Sequence, residues 1–424
     1  MPKLLAAYLP ASLKDGPERL AFLMIAGAIS LALVSIAASQ ILLAAAIAAA
    51  MWLWKKRGKA YFSLPPIAWP LLAFCLWTLL TISVSPDVHL ALGELKKFFL
   101  YLTVFLVPML LRGKGSAIWI YRSIFAVAVL SCLKGIAQFI ANPYRGLLDR
   151  ISGFMSQWMT YSGLLMLSLV ALSAFVVCLG WRKHKWVVPL SLMIIAPLIL
   201  SQTRNAWGGA VVGIVVVILL RRPRAITGLV VLILALYLLS PTSIKQRLRA
   251  AFDPNDPNTR NRIELTGTAL RLIRDNPWVG VGPKNVGLEA LRYRGSHEWP
   301  DWMYQHMHNN FLQIAAERGI PGLLIWLWFM GRLAWDAFRV FRSARGLPSA
   351  LRDEDNEVLM ASTAALGALA ALIAAGVFEY NFGDSEVLTL FLFMTSVPYA
   401  FLNNCRRRGT ENAESNSESS APLR

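Results

Sequence analysis

WVVPLSLMIIAPLIL (186–200), SQTRNAWGG (201–209) and AVVGIVVVILL (210–220) are two apolar runs joined by a short polar corner holding one charge, Arg204. A hydrocarbon core of about 30 Å takes about 20 residues of helix, and the runs, extended into the corner as 186–202 and 205–220, offer about 16 apolar residues each and fall slightly short. The corner therefore sits at, or just inside, one boundary of a bilayer. A guanidinium at that depth is costly and by default marks a functional site, although an arginine snorkelling to lipid phosphate has the same pattern.

The same pattern recurs along the chain. Apolar runs lie at 20–37, 39–54, 65–85, 98–111, 116–141, 158–180, 186–202, 205–220, 225–240, 309–331, 358–380 and 386–403. They predict an all-α polytopic membrane protein of about twelve transmembrane helices. Composition agrees: 56% hydrophobic and 16% charged residues leave more apolar surface than a soluble chain of 424 residues can bury. The stretch up to Arg19 is polar and basic, and no small-residue cleavage site follows the first run, so that helix is expected to be retained.

Basic residues orient the runs. With a cytoplasmic N-terminus, every second junction is cytoplasmic. Those junctions carry Lys55, Lys56 and Arg57; Arg112 and Lys114; Arg182, Lys183 and Lys185; Arg221, Arg222 and Arg224; the 332–352 segment; and Arg406, Arg407 and Arg408. This is the positive-inside pattern, and it accounts for much of the net charge of +18 without invoking nucleic acid. Residues 1–403 form the transmembrane domain, with both termini cytoplasmic. Residues 241–308 form one long outer loop between the ninth and tenth runs, and residues 404–424 a disordered cytoplasmic tail. Cys75, Cys132 and Cys178 lie in apolar runs and Cys405 in the tail, so no disulfide framework and no cysteine zinc site is expected.

The long loop has its own order. Asn258 and Thr259 offer an N-cap, Arg260 to Asp275 reads as an amphipathic helix with Ile263, Leu270 and Ile273 on one side, and Asn276-Pro277 ends it. Val279 to Pro283 is a tight turn, a short helix follows to about Arg294, and Trp299 and Trp302 suit a membrane interface. Four arginines (260, 262, 271, 274) share the first helix, with Arg292 and Arg294 beyond. Arginine is the preferred partner for bidentate phosphate contact, although a solvated face explains part of the set. Val279-Gly-Val-Gly-Pro283 lacks the spacing of a nucleotide loop. His297, His306 and His308 match no compact zinc spacing. Of the three, His308 stands at the entrance of the next membrane helix, where it is the best general base, and the others read as solvated. Glu317 and Arg318 precede a bend at Gly319-Ile-Pro-Gly322 and read as a structural pair. Glu379 and Asp384 form an acidic group at the outer face.

Together these residues resemble a known family. Thr203-Arg204 opens a helix; Arg262 precedes Asn276-Pro-Trp-Val-Gly-Val-Gly-Pro283; His308-Asn-Asn-Phe-Leu312 runs into Glu317-Arg-Gly-Ile-Pro-Gly-Leu323. In that order they are similar to the O-antigen ligase and polymerase superfamily of bacterial envelope glycosyltransferases, across roughly 190–330. Gly153-Phe-Met-Ser156 and Phe378 to Asp384 fit less specifically.

The resemblance implies a GT-C-like transferase in the bacterial inner membrane with its active site facing the periplasm. It would use no cofactor and no metal. The donor would be an O-antigen glycan on undecaprenyl diphosphate, and the acceptor of a ligase the lipid A–core oligosaccharide. One dominant loop favours a ligase over a polymerase or a protein O-oligosaccharyltransferase. On this reading His308 is the catalytic base and Arg204 and Arg262 hold the diphosphate, with Arg260 as the alternative loop arginine. Asn309, Thr203, Lys284 and Glu379 are supporting candidates. A lipid-linked sugar transporter is the competing class. Transporters, however, show repeat symmetry and broken helices near the midplane, whereas the unusual polar residues here gather at one face.

Overall fold

A computed structural model describes residues 16–58, 64–111, 113, 115–142, 150–240, 242–250, 253, 255–295, 299–345 and 352–419. Among these residues every regular element is helical. The helices that matter for the site are α1 (Gly16–Leu31), α2 (Ile36–Arg57), α3 (Ala68–Ser83), α4 (Val88–Leu92), α5 (Lys96–Tyr101), α6 (Thr103–Leu110), α7 (Ser116–Ala141), α8 (Trp158–Leu179), α9 (Val187–Leu200), α10 (Arg204–Arg221), α11 (Ile226–Leu239), α12 (Thr242–Arg249), α13 (Pro257–Asp275), α14 (Val286–Tyr293), α15 (Asn310–Arg345), α16 (Arg352–Gly376) and α17 (Ser385–Ser419).

Each apolar run of the sequence meets a helix. Six segments are long and apolar enough to cross a membrane: Ile36–Arg57, Ser116–Ala141, Trp158–Leu179, Arg204–Arg221, Asn356–Gly376 and Ser385–Leu402. The chain is a multi-pass membrane protein. Three shorter apolar helices, Ala68–Ser83, Val187–Leu200 and Pro223–Leu239, accompany them. The backbone of α17 runs on to Ser419.

α8 is the centre of the bundle, buried on nearly all sides by α10, α16, α17 and α9. The tightest crossing is between α10 and α16. A Cβ on Gly209 would lie 2.8 Å from the carbonyl oxygen of Ala371, and one on Gly213 2.8 Å from that of Gly367. Close approach of small residues is how membrane helices associate where no hydrophobic effect drives them together. The crossing sets the first residue of α10, Arg204, beside the end of α16. Gly208, one position from Gly209, meets nothing within 4 Å.

Opposite outcomes are therefore expected for two alanines. Gly213→Ala should destabilise by about 1–3 kcal/mol through overpacking. Gly208→Ala should be neutral or stabilising by up to about 1 kcal/mol through helix propensity. Thermal unfolding of the detergent-solubilised protein checks both, and equal midpoints for the two variants would refute the packing.

The loop helix starts earlier than the sequence indicated. Asp256, not Asn258 or Thr259, caps α13: its Oδ1 accepts from Thr259 N at 3.2 Å, its carbonyl from Arg260 N at 2.9 Å, and Pro257 takes the first position. The buried stripe also differs. Leu265, Ala269 and Leu272 pack with Val281, Val286, Ala290, Tyr304 and Met307; of the expected stripe, Ile273 is partly buried against this cluster while Ile263 and Leu270 are exposed. The turn at 279–283 then docks onto the bend in α15. Val281 N donates to Ala316 O and Gly282 N to Glu317 O, both at 2.9 Å, and Ile320 N to Pro277 O at 2.8 Å. Gly319 forms that bend with φ 69°, and any Cβ there would overlap the Trp278 carbonyl.

Candidate active site

Three chain segments converge where α10 begins, α16 ends and α15 begins. Asn309 caps α15, its Oδ1 accepting from Phe311 N at 2.8 Å and Leu312 N at 3.0 Å, while its Nδ2 donates to Val377 O at 2.9 Å. Asn310 makes a second clasp. Its Nδ2 donates to Asn381 Oδ1 at 2.7 Å, and its Oδ1 accepts from Phe382 N at 3.1 Å. These bonds hold residues 308–310 against 377–382 and bring His308 to Glu379. His308 Nδ1 lies 3.1 and 3.2 Å from the two carboxylate oxygens. His308 itself has φ 45°, a left-handed backbone rare for a residue with a side chain.

Glu379 is buried and ionised. Burial alone would raise its carboxyl, but His308, then His306 and the Tyr380 N–H at 3.0 Å, hold it down at about 2. It stays anionic at every working pH. With the carboxylate on Nδ1, the lone pair of His308 is left on Nε2. His306, read as solvated, belongs here instead. Its ring lies edge-on to His308 with centroids 4.0 Å apart, and its Nδ1 is 4.0 Å from Glu379 Oε1. Burial of that nitrogen, together with His308, pushes its pKa down to about 4, so it is neutral. Asp384 hydrogen-bonds Thr160 at 3.2 Å, and burial with Glu379 nearby raises its carboxyl to about 7. His297 lies outside the described residues.

The loop arginine that faces the site is Arg262. It is half-buried, with its guanidinium 5.7 Å from the Phe378 ring centroid, whereas Arg260 is exposed. Burial and Arg204 lower the Arg262 pKa, opposed by Glu379 and Asp256, so Arg262 lies within electrostatic reach of all three. Arg204 lies 3.8 Å from Asp256 Oδ1. Thr203 is buried beside it and donates to Ser201 O at 3.1 Å rather than capping α10. The first turn of α10 thus presents N–H groups without a side-chain cap. Lys284 is not brought to this cluster. Its backbone N–H bonds Glu317 at 3.0 Å, and its ammonium runs to Gly93 and Glu94.

His306, His308 and Glu379 also have the composition of a metal site, with donor atoms within 4.8 Å of one another. Arg262, close to the same carboxylate, opposes a divalent cation there. What the cluster can do chemically is bind an anion on Arg204, Arg262 and the α10 terminus, and take a proton on His308.

A family model described as O-antigen ligase matches residues 189–327, a span containing Arg204, Arg262 and His308. This segment is similar to the O-antigen ligase family. Two curated relatives match as well, both from Rickettsia and both provisionally named polysaccharide ligases. The one from Rickettsia conorii is 27% identical over 202 residues, covering 45% of this chain and 49% of its own length. The one from Rickettsia felis is 26% identical over the same shares. The chain thus spans about half the length of the curated relatives it matches. Glu379, which completes the histidine pair, lies beyond the matched O-antigen ligase segment.

Proposed function

We propose that this protein is an O-antigen ligase of the bacterial inner membrane. It transfers a glycan from undecaprenyl diphosphate to lipid A–core on the periplasmic face. The observation that carries the reading is the His308–Glu379 pair beside the two arginines of the family-matched segment.

Arg204, the α10 N-terminus and Arg262 bind the diphosphate and stabilise the charge it gains on leaving. Glu379 orients His308 through Nδ1. Nε2 takes the proton of the acceptor hydroxyl as its oxygen attacks the anomeric carbon. The carbon–oxygen bond to diphosphate breaks, and the electron pair leaves with undecaprenyl diphosphate. Attack from the opposite face inverts the anomeric configuration. The arginines balance the leaving group's charge without a divalent ion. Glycan polymerisation differs only in the acceptor, and the single long loop supports the ligase.

The test is transfer by the purified protein from a lipid-linked glycan, offering lipid A–core or a second lipid-linked repeat unit. Glycan-capped core is expected. Extension of the repeat unit instead would make the protein a polymerase, and movement of unchanged lipid across vesicles would make it a transporter.

A further inference from the structure

Beside the candidate active site lies a second ionisable cluster that the reaction does not use. Glu94, Lys97, Glu317 and Arg318 are each at most 7% exposed. Lys97 Nζ lies 2.9 Å and Arg318 Nη2 2.8 Å from Glu94 Oε1, Arg318 also pairs with Glu317, and its Nε donates to Thr78 at 3.1 Å. The two carboxylates face the two cations, and the Lys284 ammonium also lies within electrostatic reach of Glu94. A buried ionic network of this kind rarely outdoes apolar packing in stability; what it supplies is fixed geometry.

Its two ends are informative. Through Glu317 it reaches Gln313 Nε2 at 2.9 Å, and Gln313 Oε1 accepts from Met307 N at 2.7 Å, immediately before His308. Through Lys97 it reaches the Tyr380 hydroxyl at 3.4 Å and lies 5.3 Å from that ring's centroid, immediately after Glu379. One network thus grips the chain next to both members of the pair, one of which has a left-handed backbone that needs support.

We propose that the Glu94–Lys97–Arg318–Glu317–Gln313 network is a positioning frame that sets His308 against Glu379, with Lys97 and Gln313 as its two working ends. The inference rests on the reading of His308 as the base. Lys97 and Gln313 touch no reacting atom. They act through Tyr380 and Met307.

The experiment uses the full chain in lipid nanodiscs, with Lys97→Met, Gln313→Leu and the milder Tyr380→Phe, which keeps the ring. Transfer kinetics and 15N spectra of labelled histidine are recorded, with the His308 signals assigned by His308→Gln. Lys97→Met and Gln313→Leu should each lower kcat roughly a hundredfold, as expected when a reacting group shifts by about 1 Å. KM for the lipid-linked donor should be unchanged, and the His308 signals should move from the Nδ1-protonated tautomer to a mixture. Lys97→Arg should restore both. Unchanged kcat and unchanged His308 signals in whichever variants fold would overturn the frame. If the wild-type protein transfers no glycan, the functional reading fails, and the His308 spectra still decide the frame.

Discussion

His308→Ala is expected to reduce glycan transfer by about 10³-fold or more while the protein stays folded in the membrane, the scale of losing a general base. The reason is chemical. A sugar hydroxyl is a poor nucleophile until its proton has somewhere to go. Among the described residues near Arg204 and Arg262, His308 is the base whose carboxylate partner leaves one ring nitrogen free. His306 lacks such an orienting bond: its Nδ1 is buried without a hydrogen-bond partner among the described residues, and its ring packs edge-on to that of His308. Glu379→Gln should give a smaller loss, since an amide still accepts from Nδ1 but no longer stabilises the imidazolium. The measurement is capping of lipid A–core by purified protein, read on gels. Normal capping by His308→Ala would remove His308 from the mechanism.

The bundle was legible in the sequence because a membrane helix announces itself locally. About 20 apolar residues need no tertiary information to be recognised. The bend at Gly319 was equally local, written in Gly-Ile-Pro-Gly. The face of α13 was not. Arg260 and Arg262 are about 200° apart around a helix, and apolar periodicity put Ile263, Leu270 and Ile273 on one side. The structure buries Leu265, Ala269 and Leu272, and of the expected set only Ile273 packs against their cluster. The helix carries apolar residues on more than one side, and the side that packs is chosen by Val281, Val286, Ala290, Tyr304 and Met307, which the local periodicity of 260–275 does not contain.

The site was legible where it is local and opaque where it is not. Thr203-Arg204 and His308-Asn309 stand in short segments whose position at helix starts could be read directly. Glu379 comes from 71 residues beyond His308, and Lys97 meets Tyr380 across 283 positions. Spacing carries no signal at those separations, so Glu379 was readable as an outer-face carboxylate and supporting candidate but not as the partner of His308. Lys97 did leave a trace, a lysine at the very edge of the 98–111 run, where a charge needs a partner. His306 was misread because an imidazole in a polar loop looks solvated until the ring packed against it is known.

Arg204→Ala should lower kcat by about 10²–10³-fold, the typical loss when one preorganised charge on a developing anion is removed. A competing explanation is structural: Arg204 faces Asp256, the cap of α13, so its loss could simply release the loop. Arg204→Lys separates the two. Lysine keeps the charge that attracts Asp256 but gives up the planar fork that grips two phosphate oxygens at once. If Arg204 binds diphosphate, the lysine variant keeps the stability of the wild type and still loses much of its rate. If Arg204 only anchors the loop, lysine restores both. Arg262→Ala supplies the independent check, because its guanidinium rests on Phe378 beside Glu379 and reaches the same anion from the loop. Its loss should slow transfer comparably without disturbing α10. A diphosphate held from two sides explains why neither arginine alone suffices: the leaving group carries its charge on both phosphoryl units, and each needs a cation at the moment the glycosidic bond to it breaks.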